Sequence, residues 1–165
     1  MILALVVIGW VMRHGGLGAG VTFELFQLHK SLGFVVLVLT AARLAARVIV
    51  AAPIAPSSPH WECRLAAATQ ASLYGLSIAA SVLGWIAVSA SPLPIPTRIF
   101  GLFIVPNLMA PNPATFAEAT QAHAFAAWTM AGLVALHICG ALKHHFFDRD
   151  DTLTRILPRL PGRAR

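Results

Sequence analysis

Three stretches of the chain, residues 31–50, 65–90 and 123–142, are each apolar over about 20 residues or more. That is the length a helix rising about 1.5 Å per residue needs to cross the ~30 Å hydrocarbon core of a bilayer. In lipid such a segment satisfies its backbone only as a helix, so the sequence predicts an all-α, up-and-down four-helix transmembrane bundle. The fourth helix of that count is the stretch 2–12, equally apolar but only about 17 Å long as a helix. No Lys or Arg precedes it as a signal peptide's n-region requires, so it reads as a membrane helix and not as a signal peptide. Its shortness predicts that the chain begins inside its first membrane helix, with Met1 an internal methionine and several residues missing upstream.

Composition narrows the class further. The chain is 58% hydrophobic and 11% charged, with a mean hydropathy of +0.75, whereas soluble domains carry roughly 25% charged residues. Two cysteines among 165 residues exclude a disulfide scaffold. The net charge of +6 raises nucleic acid as a partner. However, the basic residues cluster at segment ends and are not interleaved with stacking aromatics, which argues for no nucleic-acid role.

The segments 13–30, 51–64 and 91–122 connect the spans. The last holds Pro92, Pro94, Pro96, Pro106, Pro111 and Pro113, and a short interfacial helical piece is expected over 97–104. No repeat divides the chain, which reads as one domain over 1–165. Nine of the twelve Lys and Arg (Arg43, Arg47, Arg64, Lys143, Arg149, Arg155, Arg159, Arg163 and Arg165) fall on one side, against Arg13, Lys30 and Arg98 on the other. By the positive-inside rule, both termini and the basic tail 143–165 are expected in the cytoplasm of a bacterial inner membrane.

Ionisable groups inside spans are costly and point to function. His29, His123 and His137 lie in or at the edge of the spans. His123 and His137 are 14 residues apart, sharing a helix face to within about 40° while lying roughly 21 Å apart along it. One helix therefore offers an imidazole near each membrane surface. A neutral imidazole ligates iron well, and a b-type heme needs two on different helices. His29 begins the second span at the same depth as His123, so those two pair across one heme, while His137 has no partner in the sequence. Gly33 and Ala127, one turn beyond His29 and His123, leave room for a flat macrocycle. The absence of C-x-x-C-H excludes covalent attachment, Cys63 and Cys139 read as reduced thiols, and the ligand spacing does not suit zinc. For any one histidine taken alone, a hydrogen bond between helices is the competing role. Arg43, 14 residues after His29, reaches the opposite depth on the same face, where it either holds a heme propionate or snorkels as an anchor. Lys30 stands where it meets the propionates of the first heme.

The second span reads Leu28-His29-Lys30-Ser31-Leu32-Gly33 with Arg43 and Arg47 beyond. The fourth reads His123, Leu136-His137, His144-His145-Phe146-Phe147, Asp150, Thr152-Leu153, Arg155 and Leu157-Pro158-Arg159. Over nearly its whole length the chain resembles the bacterial cytochrome b561 family of diheme membrane proteins. The resemblance implies two heme b groups near opposite faces, electron transfer between the quinone pool and a redox partner or small acceptor, His29 and His123 as one axial pair, and His137 as one ligand of the second heme. The family's partner for that ligand is an early first-helix histidine that would fall about five residues before Met1. Either translation starts upstream and two hemes are bound, or the protein holds one. Gln70 stands where many relatives carry histidine, and bonds either a propionate or a neighbouring helix.

The function expected is therefore a membrane electron carrier of the respiratory chain that does no bond chemistry beyond a possible quinone oxidoreductase activity. It has lipid and quinone as its surroundings, and homodimerisation is open. The alternatives are a cytochrome b anchor of a hydrogenase or dehydrogenase complex, and a heme-free membrane scaffold.

Overall fold

The computed structural model describes residues 1–49, 60–93 and 95–146. Four helices, α1 (Ile2–His14), α2 (Ala19–Ile49), α3 (His60–Ala90) and α4 (Pro113–Phe146), form a bundle, with a small hairpin between the last two. Within them, Ala19–Ile49, Trp61–Ala90 and Pro113–Gly140 are long and apolar enough to cross a membrane, and α1 is a shorter apolar helix.

The helices outrun the apolar stretches that announce them. α2 begins 12 residues before residue 31 because Glu24, Gln27, His29 and Lys30 are helix-compatible although not lipid-compatible. α4 starts at an Asn-Pro pair: the Asn112 side-chain oxygen accepts from the amides of Ala114 and Thr115 at 3.0 and 3.1 Å, and Pro113 occupies the first turn, where no amide is needed.

α1 packs against α2 and α4, and α3 packs against α2 and α4, with α3–α4 the most extensive contact. α2 and α4 therefore lie across the bundle from one another. Contacts at both ends of the helices show antiparallel neighbours: Arg47 meets Gln70 while the Gly33 carbonyl meets Ser81, and Lys143 meets Glu62 while Asn112 meets Ala90. The centre is built on Ala80, Ala126 and Met130, with Ile2, Leu73, Leu76, Leu83 and Val134 packed around them. Small side chains at these contacts let backbones approach, as lipid supplies no hydrophobic drive between helices. Large apolar side chains such as Val38, Val48, Phe125 and Leu136 face outward instead.

The expected helical piece over 97–104 is a β-hairpin, β1 (Thr97–Ile99) paired antiparallel with β2 (Phe103–Val105). The turn decides it. Phe100 and Gly101 both have positive φ, 48° and 75°, and the Leu102 amide donates to the Ile99 carbonyl, a geometry that matches strand twist and no helix. The free edge of β1 is covered by side chains of α2 at helical spacing. Gln27 Nε2 and Lys30 Nζ donate to the Pro96 carbonyl, Gln27 Oε1 accepts from the Arg98 amide, and Ser31 Oγ accepts from the Phe100 amide and approaches the Arg98 carbonyl. Polar residues inside an apolar span thus act as a neighbouring strand, meeting backbone groups that lipid would leave unpaired. The segments 50–59 and 147–165, with Pro53, Pro56, Pro59 and most of the basic tail, lie outside the described residues, as does Pro94.

Candidate functional site

The diagonal placement of α2 and α4 brings His29 and His123 face to face across the bundle, ring centres 6.0 Å apart with planes inclined at 75°. Two imidazoles sharing one metal ion have centres about 6 Å apart, the sum of two metal–nitrogen bonds of about 2 Å and roughly 1 Å from each nitrogen to its ring centre. The observed separation matches a bis-histidine site without movement of either helix.

Each ring is seated against a glycine of a flanking helix. A Cβ on Gly84 of α3 would stand 3.2 Å from both Cε1 and Nδ1 of His123, and one on Gly9 of α1 would stand 3.4 Å from Cε1 of His29. The His123 ring is also fixed in rotation, because its Nδ1 lies 2.8 Å from the Ala80 carbonyl. A carbonyl only accepts, so Nδ1 carries the proton and the neutral ring keeps its Nε2 lone pair free. That is the arrangement found behind metal-ligating histidines, where a backbone acceptor sets tautomer and orientation. His29 Nδ1 is buried and makes no hydrogen bond of acceptable geometry among the described residues, with the Leu5 carbonyl of α1 as its electrostatic neighbour.

Around the pair lies a cavity of about 480 Å³, within the ~300–1,000 Å³ of cofactor pockets. Gly33, Phe34, Trp85, Ala127, Trp128 and Met130 contribute to its walls. Trp85 packs edge-on against Phe34 and donates to the Pro106 carbonyl at 3.1 Å, tying the loop after the hairpin to the cavity wall. Gly33 and Ala127 border the cavity, and no atom lies within 4 Å of a Cβ on Gly33. The donor set, the fixed tautomer and the cavity together fit a planar metalloporphyrin, which His29 and His123 would hold.

Of the residues singled out from the sequence, His29, His123 and Lys30 converge on this cavity. Lys30 Nζ lies 3.3 Å from the Pro96 carbonyl, at the hairpin end. His137 and Arg43 are exposed on α4 and α2 and do not border it. Gln70 bonds its neighbouring helix, accepting from Arg47 at 2.6 Å, and Arg47 also lies over the Tyr74 ring. Gly9, Gly84, the Ala80 carbonyl and Thr120 are the site residues that sequence reasoning missed. Glycines inside apolar runs were the available sign for the first two; a backbone acceptor leaves no sign.

A membrane bundle with a cofactor-sized apolar cavity around two opposed histidines defines the class: an integral membrane protein with a candidate metalloporphyrin site. The family model described as prokaryotic cytochrome b561 matches residues 1–159. The chain is 38% identical to cytochrome b561 homolog 2 of Escherichia coli (strain K12) over 132 residues, 79% of this chain and 69% of the relative. It is 29% identical to cytochrome b561 homolog 1 of the same organism over 154 residues, 92% of this chain and 82% of the relative. The chain belongs to the prokaryotic cytochrome b561 family, which implies electron transfer through heme b.

Proposed function

We propose that this protein carries electrons through a heme b held between His29 and His123, exchanging them between the quinone pool and a redox partner or small acceptor. The observation that carries the reading is the 6.0 Å separation of the two rings at a cofactor-sized apolar cavity, with His123 locked in the tautomer that frees Nε2. Heme b supplies a one-electron iron couple whose potential follows its axial ligands and surroundings. The chain's own part is to hold two neutral imidazoles in opposition, exclude water with Phe34, Trp85 and Trp128, and meet propionate charge with Lys30.

A second heme toward the other end of the bundle would take His137 as one ligand and Arg43 at its propionate. The excess of Lys and Arg supports a topology in the bacterial inner membrane with the α2–α3 connection and the C-terminus in the cytoplasm, and the hairpin on the opposite side.

Pyridine hemochrome stoichiometry with reduced-minus-oxidised spectra tests the pairing. His29→Ala and His123→Ala are each expected to abolish the same heme signal, because either loss leaves one axial ligand. Unchanged spectra in both would refute it.

A further inference from the structure

The ionisable side chains that border the cavity are Arg13 and His14 of α1, His29 and Lys30 of α2, and His123 of α4. α3 contributes none, and no carboxylate borders the cavity among the described residues. Arg13 makes no ion pair among those residues either. An apolar cavity edged by cations and lacking any carboxylate is disposed to take an anion.

A second observation comes from a hydroxyl. Ser31, Ser77 and Ser89 return their hydroxyls to the carbonyl four residues earlier at 2.7 to 2.8 Å, the ordinary recourse of a hydroxyl in a helix. Thr120 does not. Its Oγ1 is buried, borders the cavity and has no hydrogen-bond partner among the described residues. Thr97 Oγ1 is likewise unpaired but does not border the cavity, whereas the Thr120 hydroxyl is placed to meet a group received there.

The two features lie at one level of the bundle. Arg13 follows Gly9, the glycine against the His29 ring, by four residues on α1, and Thr120 precedes His123 by three residues on α4. α1 and α4 pack on one another. α1 runs toward the hairpin end and α4 away from it, so both side chains sit roughly 5 Å outward of the histidine pair along the bundle.

We infer that Arg13 and Thr120 form a carboxylate seat at the hairpin-end mouth of the cavity, which binds a propionate of the porphyrin held by His29 and His123. The inference rests on the heme reading above. The guanidinium supplies a charge-assisted, two-pronged donor and the threonine hydroxyl a third. Lys30, on the adjoining helix α2, leaves the opposite side of the mouth cationic as well.

The test loads the full-length protein in detergent with hemin or with hemin dimethyl ester, which lacks both carboxylates, and follows transfer of each to excess apomyoglobin. The wild type should retain hemin about tenfold longer than the ester, the scale of one charge-assisted hydrogen bond. Arg13→Gln should remove most of that preference and Thr120→Val part of it, while Arg13→Lys and Thr120→Ser restore it. Where Arg13→Gln does not fold, Thr120→Val against Thr120→Ser decides. A purely structural role would shorten retention of both porphyrins and leave their ratio unchanged, and that unchanged ratio overturns the seat. A wild type that takes up neither porphyrin overturns the histidine pairing itself.

Discussion

Replacing Gly84 with alanine adds one methyl group and tests how tightly the bundle holds its ligand. The new Cβ would meet the His123 ring at 3.2 Å on two atoms at once, closer than carbon atoms settle in packed interiors, about 3.5–4.0 Å. The ring cannot slide freely away, because the Ala80 carbonyl, one turn earlier on the same helix as Gly84, holds its Nδ1 at 2.8 Å. Either that bond lengthens or the ring tilts. Alanine favours the helix itself by about 1 kcal/mol over glycine, while overpacking costs about 1–3 kcal/mol, so the heme-free bundle should lose no more than about 2 kcal/mol. The cost falls on the ligand geometry. A loss of about 1–3 kcal/mol there corresponds to roughly 5- to 150-fold faster heme loss. Transfer of heme to excess apomyoglobin measures it, and low-spin electron paramagnetic resonance reports the tilt. Gly9→Ala is the internal control, because its Cβ reaches His29 only at 3.4 Å and 3.9 Å, and it should have the weaker effect. Wild-type heme loss in Gly84→Ala, or greater damage from Gly9→Ala, would refute the reasoning.

Three further outcomes follow from individual contacts. Ser31→Ala removes the acceptor of the Phe100 amide at a residue 1% exposed, and should weaken hairpin docking by about 1–2 kcal/mol. Hydrogen exchange at Phe100 should then be roughly tenfold faster, and unchanged exchange would count against the hairpin's anchoring. His137→Ala should leave the His29–His123 heme spectrum intact, since His137 lies outside that cavity; loss of that signal would contradict their separation. Glu62→Gln breaks a 2.9 Å pair with Lys143, whose side chain is 49% exposed, and thermal denaturation should register less than about 1 kcal/mol.

Hydropathy made the membrane bundle legible in the sequence. An apolar run long enough to span a bilayer has one way to satisfy its backbone, and that constraint is written in composition alone. The same holds for the histidines. Depth along a helix is arithmetic on residue number, so His29 and His123 could be matched by level from spacing. The resemblance to cytochrome b561 supplied the family, which the family model and the relatives bear out.

Which helices stand opposite each other was not legible, because it depends on how four faces close into a ring. That closure alone sets the 6.0 Å ring separation and places Gly9 and Gly84 behind the imidazoles. The hairpin was misread for a related reason. Its strands pair with each other, but Gln27, Lys30 and Ser31 satisfy its edge from about 70 residues earlier in the chain. No local propensity encodes such a partner. Sequence determined that this chain carries membrane-spanning helices and that His29 and His123 share a level along them. Tertiary structure decided which groups meet, since a hydrogen bond or a contact under 4 Å depends on distances in space that residue spacing along one helix does not contain.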